Sequence, residues 1–185
     1  EICDEHGILL VFDEVITGFG RTGKGFASET YGVTPDIITM AKALTNGAIP
    51  MGAVAVKDEI YDTITNASPE NAIEFFHGYT YSAHPAACAA GIATQKIYEE
   101  EGLFNRAADM SDYFLDAVWS LKDHPLVKDL RGYGMMAGVE LHHDGVGGRR
   151  GTQMQKDMFW NDSYHTALYT YLDIRPAYLP WSKPY

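Results

Sequence analysis

Basic residues are scarce in this chain. Lysine and arginine together number 14 against 25 aspartates and glutamates, a formal net charge of −11. Nucleic acid and anionic membrane both reward clustered lysine and arginine, so neither is expected as the main partner. Cysteine is nearly absent. Cys3 and Cys88 are the only two; they lack any metal-ligand spacing, and thiols so far apart are expected to stay reduced rather than form a disulfide framework. No apolar run approaches the roughly 20 residues that a membrane-spanning helix needs. There is no internal repeat and no signal-peptide pattern, so a cytoplasmic (cytosolic or organellar-matrix) location is the expectation. What is present is a chain of 185 residues, 46% hydrophobic, enough for one ordinary globular domain with a real core.

The first residues, "EICDEHG", read as the end of a helix: polar residues, a histidine in the last turn, then Gly7 as terminator. The start is therefore expected to be internal to a longer protein. Ile8 to Phe12 is an unbroken apolar run that stops at Asp13-Glu14, as in a parallel α/β sheet whose strands are covered on both faces. "GFGRTGKG" is too rich in glycine for a helix interior and reads as loop. "DIITMAKAL" is a β-branched run ending at Lys42, and "TNGAIPMG" turns into a second buried strand, "AVAV". Beyond Lys57 the pattern is helical, with loops at Asn66 to Glu70 and over "HGYTYSAHP". Pro85 opens a helix of small residues that ends at Gly102. A second, amphipathic helix spans about Leu103 to Lys122, with Leu103, Ala107, Met110, Phe114, Ala117, Val118 and Leu121 three and four apart. "LVKDLRGYGMMAGVELH" then reads as strand, glycine turn, strand.

Two residues in this frame carry chemistry. Asp13 ends a buried strand, where ligand crevices open in doubly wound sheets. Lys42 lies between apolar strands, where desolvation disfavours an ammonium and leaves a nucleophilic amine. Pyridoxal phosphate needs such a pair: an amine for its aldehyde and an anion for its ring nitrogen. Taken alone, the pair leaves other readings open. A strand-end Asp-Glu also serves as a metal or Walker-type acid, or is simply solvated, and one lysine can merely snorkel. His142 to Asp144, "HHD", hints at a metal, but adjacent histidines at a strand end are more often solvated, and no metal is expected. "GFGRTGKG" lacks the Gly-Lys-Ser/Thr ending of a phosphate loop and is taken as structural. Arg149-Arg150 reads as a surface or interdomain salt link.

The full spacing narrows these choices. "LLVFDEVITGFGRTG" followed by "PDIITMAKALTNGAIPMGAVAV" resembles, in order and spacing, the cofactor-attachment signature of the class III (omega) aminotransferases. "FFHGYTYSAHPAACAAGIA" and "LVKDLRGYGMMAGVELH" also look like that family, so the resemblance covers about residues 1 to 160. It implies an α/β fold of type I of the pyridoxal-phosphate enzymes. Residues 1–102 would belong to the large cofactor-binding domain, 103–160 to a linking helix and the start of the small C-terminal domain, and 161–185 to a divergent tail. It implies that Asp13 pairs with the pyridinium nitrogen, Val15 packs on one ring face, and Lys42 attaches the cofactor and shuttles the substrate's proton. Thr80 would bind the cofactor phosphate of the neighbouring subunit, which makes a homodimer part of the site.

The segments are most similar to the β-alanine (omega-amino acid):pyruvate branch, a transaminase with a small-molecule amine donor and a keto-acid acceptor. The alternatives are another donor (ornithine or 4-aminobutyrate type), an aminomutase, or a catalytically silent fragment. Three departures stand out. Ile16 replaces a glutamine that in some relatives touches the cofactor ring's phenolic oxygen. Ala83 replaces the glycine usual after "TYS", a mild change unless that position needs positive φ. After Trp160 the pattern breaks, as a shifted reading frame would produce; Arg175 has no matching surroundings, and Ser163 to Tyr185 is expected to be poorly ordered. Made alone, the chain is expected to be inactive.

Overall fold

The computed structural model describes residues 1–73, 75 and 77–160, so the expectation for Ser163 to Tyr185 lies outside the described residues. The chain divides into two compact units. One joins Glu1–Phe19 to Gly25–Leu103, and the other joins Gly20–Lys24 to the chain from Phe104 onward.

The first unit opens on α1 (Ile2–Glu5), followed by Gly7 in the left-handed region at φ 61. Then come β1 (Val11–Asp13), α2 (Ala27–Tyr31), β2 (Ile37–Met40), a 3-10 turn (Lys42–Leu44), β3 (Ala53–Val56), α3 (Asp58–Asn66) and α4 (Pro85–Glu100). The sheet order is β1-β2-β3. β1 and β2 run parallel with Asp13 opposite Thr39, and β3 returns antiparallel with Ala53 opposite Met40. A parallel pair needs a crossover; the glycine-rich stretch and α2 supply it. At the far end of the sheet a single carboxylate gathers all three strands. Asp36 Oδ2 accepts from Leu10 N at 2.7 Å, just before β1, and Oδ1 pairs with Lys57 Nζ at 2.6 Å, just after β3. The Leu10 amide and then the Lys57 ammonium hold the Asp36 carboxyl below its ordinary value, and Asp36 in turn raises Lys57.

The strands are not covered on both faces, which corrects the expectation drawn from their apolar runs. Val11 is 52% exposed and Val54 64%, with Ile8, Leu9 and Val56 also open. An unbroken apolar run reports a strand's tendency to be buried, but burial requires a neighbour. The described residues supply none on those faces.

α4 begins as expected, with Pro85 in the first turn after His84, and Gly102 follows its end at φ 59. Its buried residues Ala87, Gly91, Thr94 and Tyr98 recur four, three and four apart, one stripe of a 3.6-residue helix. That stripe packs on the 3-10 turn.

The second unit carries α5 (Leu103–Trp119), β4 (Val127–Tyr133), β5 (Met136–Leu141) and α6 (Arg149–Trp160). β4 and β5 form the antiparallel hairpin read from the sequence, from Val127 opposite Leu141 to Tyr133 opposite Met136. Only glycine fits its turn. Gly134 stands at φ 59, and a Cβ there would lie 2.3 Å from the Arg21 carbonyl oxygen. That same oxygen accepts from Met135 N at 2.8 Å. α6 has no counterpart in the sequence reading. Arg149 pairs with Asp144 at 3.7 Å on the surface. Cys3 and Cys88 are both free, and among the described residues no helix is long and apolar enough to cross a membrane.

Candidate active site at the carboxyl edge of the sheet

Because β1 and β2 are parallel, their carboxyl ends open on the same edge, the position where α/β sheets offer a crevice. Asp13 is the last residue of β1. Its Oδ1 accepts from Val15 N at 3.1 Å and from Thr39 Oγ1 at 3.2 Å on the neighbouring strand. The first bond is an Asx-type turn made by the chain two residues on, and the second locks the carboxylate to β2. Both use the same oxygen, so Oδ2 has no hydrogen-bond partner among the described residues. Val15 is half-buried beside it.

Lys42 lies just past the end of β2, at the head of the 3-10 turn. The sequence reading desolvates this lysine between apolar strands; the structure leaves it exposed. The reason is local. β2 ends at Met40, where its pairing with Ala53 stops, and the turn carries the next residues out of the sheet. Lys42 adopts φ 46, a left-handed conformation that costs a non-glycine residue roughly 1–2 kcal/mol. Its amine makes no hydrogen bond or ion pair among the described residues. Asp13, Val15 and Lys42 thus share one edge of one sheet.

Thr80 stands apart from them. It is exposed on the loop before α4, and no hydrogen bond joins it to Asp13, Val15 or Lys42. Its neighbours Tyr79 and Tyr81 both take positive φ, 49 and 65, and Ala83 follows at 54. The position of the usual glycine therefore does need positive φ, and alanine sits there under strain. Ile16, the other departure, is about half exposed.

One residue of the edge escaped the sequence reading. Glu14, adjacent to Asp13, is 1% exposed. Its backbone N donates to Thr39 O at 3.0 Å, and its own carbonyl accepts from Gly18 N at 3.0 Å. Its carboxylate accepts from Thr17 Oγ1 at 2.5 Å, Ala27 N at 3.0 Å and Ser28 N at 2.8 Å. The last two are amides of the first turn of α2, which lack intrahelical partners. Glu14 therefore caps α2 and closes the glycine-rich loop onto the end of β1. Gly18 allows the fit, since a Cβ there would meet Glu14 O at 2.8 Å. The only signal in the sequence is a second acid directly after the strand.

The metal alternative finds no set of ligands. Among the described residues no group of three or more histidine, cysteine, aspartate or glutamate side chains is placed to hold an ion. His143 instead accepts from Gly145 N through Nδ1 at 3.3 Å.

Comparison with known proteins bears on the same stretch. The chain is 59% identical over 140 residues to an omega-aminotransferase of Caulobacter vibrioides, covering 76% of this chain and 32% of that protein. It is 50% identical over 142 residues to a beta-alanine–pyruvate aminotransferase of Pseudomonas aeruginosa, with the same coverage of each. A solved (S)-enantioselective omega-transaminase from Thermomicrobium roseum superposes with a TM-score of 0.71 at 45% identity, over 77% of this chain and 31% of that one. The chain thus spans about a third of the length of the relatives it matches. The model of the aminotransferase class-III family, whose members use pyridoxal phosphate, matches residues 1–159, and the chain belongs to that family.

Proposed function

We propose that this chain is part of an omega-aminotransferase that moves an amino group from an omega-amino acid or amine to pyruvate. The relatives named as omega-aminotransferase and beta-alanine–pyruvate aminotransferase support that donor and acceptor. The observation that carries the reading is the sheet edge, where an oriented carboxylate with one open oxygen shares an edge with an unpartnered amine. These are the groups that pyridoxal phosphate needs, so the residues fit it. When bound, the cofactor supplies an aldehyde and a protonated ring that accepts electrons from the substrate's reacting carbon.

Each residue then has one task. Asp13 Oδ2, the open oxygen, would accept a hydrogen bond from the protonated ring nitrogen and by its charge keep the proton on that nitrogen. Its partners on Oδ1, Val15 N and Thr39 Oγ1, keep the carboxylate from turning. Val15 packs its side chain on one face of the ring. Lys42 Nζ would hold the cofactor through its aldehyde and would move the proton at the substrate's reacting carbon. Thr80 Oγ1 donates to the phosphate of the cofactor in the neighbouring subunit, which makes the working unit a homodimer. In this reading residues 1–102 belong to the large cofactor-binding domain of a type I fold, and 103–160 to the linking helix and the start of the small domain.

The test is chemical. Borohydride reduction of the cofactor-loaded full-length protein carrying this chain is expected to fix a pyridoxyl group on the peptide that contains Lys42. The same protein is expected to form alanine from β-alanine and pyruvate. Label on Lys24 or Lys57 overturns the assignment.

A further inference from the structure

Resting on the reading of Lys42 as the attachment lysine, we propose that Tyr98 and Gln95 of α4 are positioning residues that set the direction in which the Lys42 side chain leaves the backbone. The starting point is strain. A lysine at φ 46 gains nothing locally from that conformation, and such residues persist only where their surroundings over-determine them. The surroundings here are specific. Tyr98 Oη donates to Ala43 O at 2.8 Å in a buried position, and Gln95 Nε2 donates to Leu44 O at 3.2 Å. The two carbonyls that follow Lys42 are therefore held by two side chains three residues apart on one helix, which face the same way.

The rest of the turn is fastened to match. Leu44 N donates to Ala41 O at 3.0 Å, closing the turn across Lys42. Thr45 Oγ1 donates to Ile49 O at 2.6 Å. Ala43 is 3% exposed, so the turn has no room to roll. α4 lies close to the turn at Gly91, whose Cβ position is 3.8 Å from Leu44 O, ordinary van der Waals contact. Tyr98 is itself fixed, its ring 6.4 Å from that of Phe19. Only the amine end of Lys42 is left at liberty, at the edge where Asp13 Oδ2 is open. A reacting amine must be held to within about half an ångström of its working geometry. α4 supplies that constraint through the backbone, without touching substrate or cofactor.

The test uses the cofactor-loaded full-length protein. Tyr98→Phe keeps the ring and removes only the donor to Ala43 O. It is expected to keep the cofactor and the label on Lys42 but to lower kcat by roughly 10- to 100-fold with little change in KM. The bound cofactor's absorption also reports the proton on the Lys42 nitrogen. Its pH midpoint is expected to move by about one unit, a tenfold change in proton affinity. Gln95→Met, at a half-buried position, is expected to move both in the same direction by less, and Gln95→Arg, which still donates, to restore them. Should Tyr98→Phe not fold, the two Gln95 variants decide. An unchanged midpoint and kcat in folded variants that still label at Lys42 overturns this inference alone. Label elsewhere in the unsubstituted protein overturns it together with the reading beneath it.

Discussion

The end of β1 and the start of its connection to α2 meet at one peptide bond, between Asp13 and Glu14, and they treat two adjacent carboxylates in opposite ways. At the edge, Asp13 is exposed, held through one oxygen and open at the other. In the connection, Glu14 is buried and its carboxylate accepts from three donors, with both oxygens engaged. A buried carboxylate with both oxygens bonded within the chain holds structure. One that keeps an oriented oxygen open is available for chemistry. The difference separates what this chain completes by itself from what it presents.

The separation can be broken from either side. Glu14→Ala is expected to have the largest effect on stability. It orphans the Ala27 and Ser28 amides in a buried place at about 1–3 kcal/mol each, so a loss of about 3–4 kcal/mol is expected in chemical denaturation. A loss under 1 kcal/mol would show that the loop does not depend on its cap. Asp13→Asn acts on the other side. It keeps the shape and removes the charge, and a rate loss of about 100-fold, equivalent to about 2.7 kcal/mol in the barrier, is expected in the full-length enzyme with little change in melting. Near-normal turnover would contradict its role.

Asp36 sharpens the comparison, because it is a carboxylate at the opposite end of the sheet that holds structure while partly exposed. Its folded-state value is depressed, so the stability it adds is present above its ordinary 3.8 and lost as pH falls through the lower folded value. Lys57 is raised, so its share is present below its ordinary 10.5 and lost as pH rises through the higher folded value. Melting followed from neutral pH down to acid is expected to fall less steeply in Asp36→Asn than in the parent, and equal slopes would remove Asp36 as a staple. The smallest effect is a gain. Ala83→Gly relieves a residue held at φ 54 and is expected to stabilise by about 0.5–1 kcal/mol, since relief of αL strain outweighs the added freedom of the unfolded chain. A loss on that substitution would mean the methyl packs against something that repays the strain.

The sequence made some of this legible because the relevant physics is local. The Pro85 helix, the amphipathic helix from Leu103 and the hairpin around Gly134 follow from periodicity and turn chemistry, which neighbouring residues determine. Asp13 and Lys42 stood out through spacing, and the parallel pairing of β1 with β2 places them on one edge. The misread features are those decided by residues distant in the chain. Val11 and Val54 stay open because no described residue packs over them, and packing of that kind is not decided by their own neighbours in the chain. The carbonyls that follow Lys42 are held by Gln95 and Tyr98, more than fifty positions on, and its exposure follows from where β2 stops pairing at Met40. α2 is only five residues long and sits behind a run of glycines, and α6 follows another at 145–148, so neither carried an apolar stripe long enough to read.

The bond from Met135 N to Arg21 O also has a consequence in time. A ribosome adds on the order of 5–20 residues per second. The Arg21 carbonyl therefore leaves the exit tunnel several seconds, and on the order of ten in a slow cell, before the glycine turn that will rest on it has been made. During that interval the 20–24 segment can meet Phe104 and Ala108, which lie against Gly20 and Gly23, but not the turn itself. Long-range closure of this kind is slow compared with forming a helix, which makes the hairpin's arrival the late step of synthesis-coupled folding and Gly134 the residue on which its completion turns.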